Sequence, residues 1–95
     1  MKAYTLNCKL ENVEIRKVED VDKSFKNKKG ETVEAHEILL ACDDENEDRI
    51  FLHDKNMENL AKYKRGMIGT FKIRIDIEED FGMKAKITVV DFQEG

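Results

Sequence analysis

Four residues of this chain have side chains that commonly act as nucleophiles, bases or metal ligands. They are two cysteines and two histidines: Cys8, Cys42, His36 and His53. A cysteine beside a histidine can form a nucleophile–base pair, and four such residues are enough for a zinc site. Both cysteines fall on predicted apolar strand faces, however, and no two of the four residues have zinc-motif spacing. We therefore predict reduced core thiols, with no catalytic residue, no metal and no cofactor.

Longer catalytic motifs are missing from the sequence as well. It contains no Gly-rich phosphate loop, no nucleophile elbow and no HExxH motif. The acidic run 43–48 lacks the central glycine and the distal glutamate of a calcium-binding EF-hand loop, so a solvated hairpin turn is predicted there. The chain is predicted not to be an enzyme.

Phe25, Phe51 and Phe81 each lie within three residues of a basic or histidine side chain. Phe25 lies in segment 23–29, which holds four lysines and no acid. Phe51 alternates with two aliphatic residues, so it points outward if those residues are buried. Phe81 lies in a predicted tight turn. Cations that follow phosphates and flat aromatic faces that accept unstacked bases are what a single nucleic-acid strand requires. The predicted binding residues are Lys23, Phe25, Lys26, Lys28, Lys29, Arg49, Phe51, His53, Lys72, Arg74, Phe81 and Lys84. Two alternatives stay open: Phe25 as a loop anchor, and Phe51 as a core residue if the strand faces are reversed.

Alternating apolar and polar residues predict an all-β domain that spans residues 1–95. The first strand begins near Tyr4 and continues past a predicted bulge at residues 11–12, where the apolar set shifts by one position. Further strands are predicted at 32–42, 49–53, 71–77 and 83–92. One short helix is predicted to begin at Asp54 as its N-cap and to end at Gly66, with Met57 and Leu60 on its apolar face.

This order, three strands, a helix and two strands with a long bent first strand, resembles the OB-fold. The resemblance implies a five-stranded Greek-key barrel that binds its ligand across strands two and three and the loops that flank them. The chain is similar in this respect to small single-stranded-DNA-binding proteins. The predicted function is therefore non-catalytic binding of single-stranded nucleic acid, with DNA favoured. The alternatives are a protein-interaction module that grips a protein partner, and a barrel that binds a small ligand or an oligosaccharide.

The overall charge weighs against nucleic acid. The net charge is −4, whereas a basic surface is usual for such proteins. The charge is unevenly distributed, because the lysines of segment 23–29 lie apart from the five acids of run 43–48. No apolar run approaches the roughly 20 residues of a membrane span, and the first residues lack the apolar core of a signal peptide. These features predict a cytoplasmic protein with no membrane partner.

Overall fold

The computed structural model describes residues 2–79 and 83–95, and nearly all regular structure in them is β-strand. The elements are β1 (Lys2–Asp22), β2 (Phe25–Lys26), β3 (Thr32–Val33), β4 (His36–Asp43), β5 (Arg49–Asp54), a 3₁₀ helix (Met57–Ala61), β6 (Ile68–Glu79) and β7 (Met83–Glu94). The all-β fold class predicted from the sequence is confirmed. In the described residues no helix has the length and apolarity needed to cross a membrane.

The five long strands form one sheet that closes into a barrel, in the order β1-β4-β5-β7-β6. Strand β1 contributes to both sides of the closure: its first part pairs antiparallel with β6, and its last part pairs antiparallel with β4. The ring is completed by one parallel pairing between β5 and β7, at His53 and Thr88. Strands β2 and β3 form a separate two-stranded hairpin between β1 and β4.

A bulge bends β1 between its two pairing partners. The register with β6 shifts between Leu10 and Val13, and Asn12 adopts a left-handed backbone with φ of 55°. Asparagine is one of the few residues that accept this conformation at low cost. The bulge predicted at residues 11–12 is confirmed, and it allows one strand to serve both halves of the barrel.

Alternate residues of the five long strands fill the barrel interior. The fully buried large side chains are Phe71, Ile15, Ile38, Leu40, Leu52, Val13 and Cys42. Three aromatic rings pack together in and against this core: the Phe71 and Phe92 centroids lie 4.4 Å apart and those of Tyr63 and Phe92 lie 5.7 Å apart. Burial of a large apolar side chain stabilises the fold by about 1.5–3 kcal/mol, so this interior is the main source of stability.

Three strands continue beyond the closed barrel as an extension sheet, which we define as residues 2–8, 75–79 and 83–87. Within it, Tyr4 is opposite Ile77 and Leu6 is opposite Ile75, on the same sheet face as the barrel core. Tyr4 is nevertheless 46% exposed and Leu6 is 52% exposed. β4 pairs with β1 only from Glu14 onward and leaves this part of β1 uncovered. The predicted burial of Cys8 is wrong for the same reason, whereas Cys42 is buried as predicted.

The predicted helix and second strand are both shorter than the sequence pattern suggested. The helix is a single 3₁₀ segment whose N-cap is Asn56, not Asp54. Asp54 is buried instead, and its carboxylate accepts hydrogen bonds from the Tyr63 hydroxyl at 2.6 Å and the Asn59 side chain at 2.9 Å. The predicted strand 32–42 is interrupted at residues 34–35, which separates β3 from β4.

Candidate functional site

An exposed aromatic ring lies on the outer face of the barrel. Phe51 is 54% exposed on β5, while its neighbour Leu52 points into the core with no exposed surface. Phe51 is opposite Ala41 of β4, which in turn is opposite Lys17 of β1, so these three side chains form one row across the outer surface. The prediction that Phe51 points outward is confirmed, and the reversed-face alternative is wrong.

The ring borders a shallow depression, which we call the Phe51 platform. It is lined by Lys17, Glu19, Leu39, Ala41, Arg49 and Phe51. Leu39 and Ala41 are the apolar residues beside the ring. Lys17 and Arg49 are the cations of the lining, and Lys17 Nζ is paired with the Glu19 carboxylate. Arg49 is oriented by Asp43, whose carboxylate accepts a hydrogen bond from its Nε at 2.8 Å. The platform therefore combines a flat aromatic surface with positively charged side chains.

A buried carboxylate lies on the same outer face. Glu37 is only 4% exposed, and it accepts hydrogen bonds from Lys86 Nζ at 2.8 Å and from His53 Nδ1 at 3.2 Å. Burial alone would raise the pKa of Glu37, but the hydrogen bond and charge of Lys86, assisted by His53, hold it below its ordinary value. His53, a predicted binding residue, is thus engaged with Glu37 at the β4–β5 surface. The cluster joins β7 to β4 and β5 across the point of parallel closure.

The lysine-rich loop is an ordered hairpin that begins with Phe25. Phe25 is opposite Val33, and the two side chains are 55% and 37% exposed. The Asn27 side chain closes the turn by accepting from the backbone nitrogens of Lys29 at 2.9 Å and Glu31 at 3.0 Å. Gly30, with φ of 79°, takes the left-handed position that this turn requires. Because more than half of the Phe25 side chain is exposed, it does not anchor the loop, and the loop-anchor alternative is wrong.

The lysines of this hairpin remain exposed. They are Lys23, Lys26, Lys28 and Lys29. In the described part of the chain, none of the four forms an ion pair with a carboxylate. Their charges are therefore available to an external anion, in contrast to the paired cations of the barrel surface.

The remaining predicted residues lie on or beyond β6 and β7. Arg74 is opposite Thr88, which pairs with His53 of β5, so Arg74 belongs to the same outer face as the platform. Its Nε donates to Asp76 at 3.2 Å. Lys72 is exposed two residues earlier on β6, opposite Asp91. The predicted roles of Phe81 and of the Lys84 side chain lie outside the described residues.

The four residues considered for catalysis or zinc binding are not brought together. His36 Nδ1 lies 2.9 Å from Asp20 Oδ1, and His53 contacts Glu37. Cys42 is buried in the barrel, where desolvation raises its pKa to about 12, and Cys8 is exposed on the extension sheet. Among the described residues, no group of three or more potential ligands could hold a metal ion.

Several platform residues were absent from the set predicted from sequence. Lys17 and Leu39 come from strands whose alternation indicated a face but not a neighbour on the next strand, and the same holds for Lys86, which contacts Glu37 outside the platform. The bulge between Ile15 and Lys17 also changes which residues of β1 point outward. The outward position of Lys17 beside Ala41 became evident only from the pairing register.

No protein-family model matches this chain, and no curated protein or solved structure is significantly similar to it. The geometry of the platform and its surroundings is therefore the basis for a functional assignment.

Proposed function

We propose that this chain is an OB-fold protein that binds single-stranded nucleic acid, with DNA favoured, and that it does so without catalysis. The strand order of the closed barrel supports the OB-fold, as does the position of the 3₁₀ helix between β5 and β6. In that fold the ligand lies across the second and third barrel strands, here β4 and β5, and contacts the loops beside them.

The observation that carries the proposal is the exposed Phe51 ring on the outer barrel face, in a depression that Lys17 and Arg49 also line. An exposed phenylalanine does not contribute all of the folding free energy, about 1.5–3 kcal/mol, that full burial of its side chain would provide. A base stacked on such a ring contributes about 1–3 kcal/mol of binding free energy, whatever its identity. The nearby cations suit the phosphates on either side of that base.

The β2–β3 hairpin supports the same ligand. It presents a second exposed ring, Phe25, together with three lysines, and Lys23 precedes it; none of the four lysines has an ion-pair partner among the described residues. The net charge of −4 is compatible with this role, because screening at physiological salt limits long-range repulsion to about 8 Å. The local charge of the hairpin therefore matters more than the total.

A fluorescence-anisotropy titration with labelled poly-dT at two salt concentrations tests the proposal. We expect binding at low salt, weakened by about 1–3 kcal/mol in Phe51→Ala. Leu6→Ala is the matched control, because Leu6 is 52% exposed but lies on the extension sheet. Replacing Lys26, Lys28 and Lys29 together by Gln should make the slope of log K against log salt less steep. We expect a change of about 0.7 in that slope for each phosphate that these lysines no longer neutralise.

The second candidate function is protein interaction. It is favoured by the apolar face of the extension sheet, where Tyr4 and Leu6 are about half exposed beside Ile75 and Ile77. A protein partner on that face would lose affinity with Leu6→Ala and not with Phe51→Ala. Absence of poly-dT binding by the wild-type protein at about 50 mM salt, where phosphate contacts are strong, would favour this second function.

A further inference from the structure

A second depression lies beside the Phe51 platform and shares Lys17 and Arg49 with it; we call it the arginine depression. Its lining residues are Arg16, Lys17, Val18, Arg49, Tyr63 and Arg65. Four of these six side chains are cationic and none is acidic. The depression thus brings together positive charge from β1, β5 and the segment that follows the 3₁₀ helix.

Partly exposed carboxylates beside the depression hold two of its arginines in place. Asp43 accepts a hydrogen bond from Arg49 Nε at 2.8 Å and lies 3.6 Å from Arg16 Nε. Glu14 accepts from Arg16 Nη1 at 2.7 Å. Arg49 uses only its Nε for these contacts, whereas Arg16 uses Nη1 and Nε. Within the described residues, both Nη atoms of Arg49 and Nη2 of Arg16 have no hydrogen-bond partner and remain free to donate to an anion.

Arg65 is brought to the same place by a backbone connection. The Gly66 nitrogen donates to the Ile15 carbonyl at 2.7 Å, and the Ile15 nitrogen donates to the Met67 carbonyl at 2.8 Å. Gly66 has φ of 92°, a left-handed conformation that a side chain at this position would strain. The turn is therefore fixed against β1 next to Arg16. No carboxylate pairs with Arg65 in the part of the chain that the structure describes.

Tyr63 forms a wall of the depression and does not compete for the anion. It is 6% exposed, and its hydroxyl donates to the buried Asp54 carboxylate at 2.6 Å. Burial, together with this hydrogen bond and the Asp54 charge, raises the pKa of Tyr63 well above its ordinary value. The ring is therefore a neutral and rigid part of the site.

We propose that the arginine depression binds a phosphodiester group of the strand whose base lies on Phe51. The inference rests on the proposed function and adds to it the position of one backbone contact. Guanidinium groups present paired donors that match phosphate oxygens, and pre-positioned side chains lose less entropy on binding. Because backbone phosphates carry no sequence information, this contact fixes the position of the strand and does not select bases.

The test compares Arg65→Gln with Lys62→Gln in the full chain. Both residues are exposed and both substitutions remove one positive charge, but only Arg65 lines the depression. We expect Arg65→Gln to weaken dT-oligomer binding about tenfold at low salt, as for the loss of one charge-assisted hydrogen bond. Arg65→Gln should also make the slope of log K against log salt less steep by about 0.7. We expect Lys62→Gln to leave both the affinity and this slope close to wild type.

The decisive experiment uses a dT oligomer with uncharged methylphosphonate linkages in place of phosphodiesters. On this strand Arg65→Gln and wild type should bind equally, because the linkage beside Arg65 no longer carries a charge. If Arg65→Gln and Lys62→Gln behave alike on the charged strand, the inference is overturned while the proposed function stands. If wild type binds no dT oligomer at low salt, both are overturned together.

Inorganic phosphate is the other source of the same ligand chemistry. An NMR titration of the arginine Nε–H resonances separates the two sources. We expect dT oligomer to shift the Arg65 resonance at phosphate concentrations where inorganic phosphate alone leaves it unchanged. Equal shifts from both would identify a free-anion site and would contradict the assignment to a nucleic-acid strand.

Discussion

The extension sheet and the Phe51 platform both expose large apolar side chains, and they do so for different reasons. On the extension sheet, Tyr4 and Leu6 lie on the face that continues the core and are exposed because no other strand covers them. On the platform, Phe51 lies on the outer face of β5, where its outward neighbours on that strand are Arg49 and His53. Leu6 is 52% exposed and Phe51 is 54% exposed, so exposure alone does not distinguish them. The two residues differ in the sheet face on which they lie and in the charged side chains beside them.

The extension sheet and the closed barrel should differ most in thiol reactivity. Cys8 is exposed and should react with a thiol reagent at once, whereas Cys42 is fully buried and its pKa is raised to about 12. Labelling of Cys42 requires opening of the barrel, which at a stability of about 5–15 kcal/mol slows it by about a thousandfold or more. Single-thiol variants Cys8→Ser and Cys42→Ala in an Ellman assay measure each rate. Similar rates would mean that the barrel is not closed around Cys42.

The second prediction compares two phenylalanines of opposite strand faces. Phe71→Ala removes a fully buried ring and should cost about 3–5 kcal/mol of unfolding free energy. Phe51→Ala removes an exposed ring and should change it by about half a kcal/mol or less. Urea denaturation of both variants provides the comparison. A large loss of stability in Phe51→Ala would assign that ring to the fold and would weaken its assignment to a ligand.

The third prediction concerns pH. Because the folded-state pKa of Glu37 is lowered, its contribution to stability is present above the unfolded value of about 4.3 and is lost as pH falls through the folded value. Glu37→Gln should therefore be less stable than wild type at neutral pH, and the difference should shrink in acid. Glu34→Gln, at an exposed position, is the control. A difference that does not change with pH would show that Lys86 and His53 do not stabilise the charged form.

The sequence predicted the all-β class, the bulge in β1 and the outward direction of Phe51. Each of these depends on local alternation, which a single strand displays without its neighbours. Burial depth was less predictable. Leu6 and Leu40 have the same alternating context, yet only Leu40 is enclosed, because enclosure depends on how far the neighbouring strands extend.

Contacts between residues on different strands could not be predicted from the sequence either. Asp54 has the pattern of an N-cap, but a hydroxyl nine residues later, on Tyr63, provides a buried partner and Asn56 caps the helix instead. Lys86 and Glu37 are 49 residues apart and meet only through closure of the barrel. The basic lining of the arginine depression likewise comes from three separate segments.

Residue-level mapping by NMR tests the central claim most directly. A ¹⁵N spectrum recorded while dT oligomer is added should show shifts for Lys17, Leu39 and Phe51 on the platform. The amides of Tyr4 and Leu6 on the extension sheet should stay in place, because that surface offers apolar side chains with few cations. Shifts confined to the extension sheet, or no shifts at low salt, would contradict binding of a single strand on the Phe51 platform.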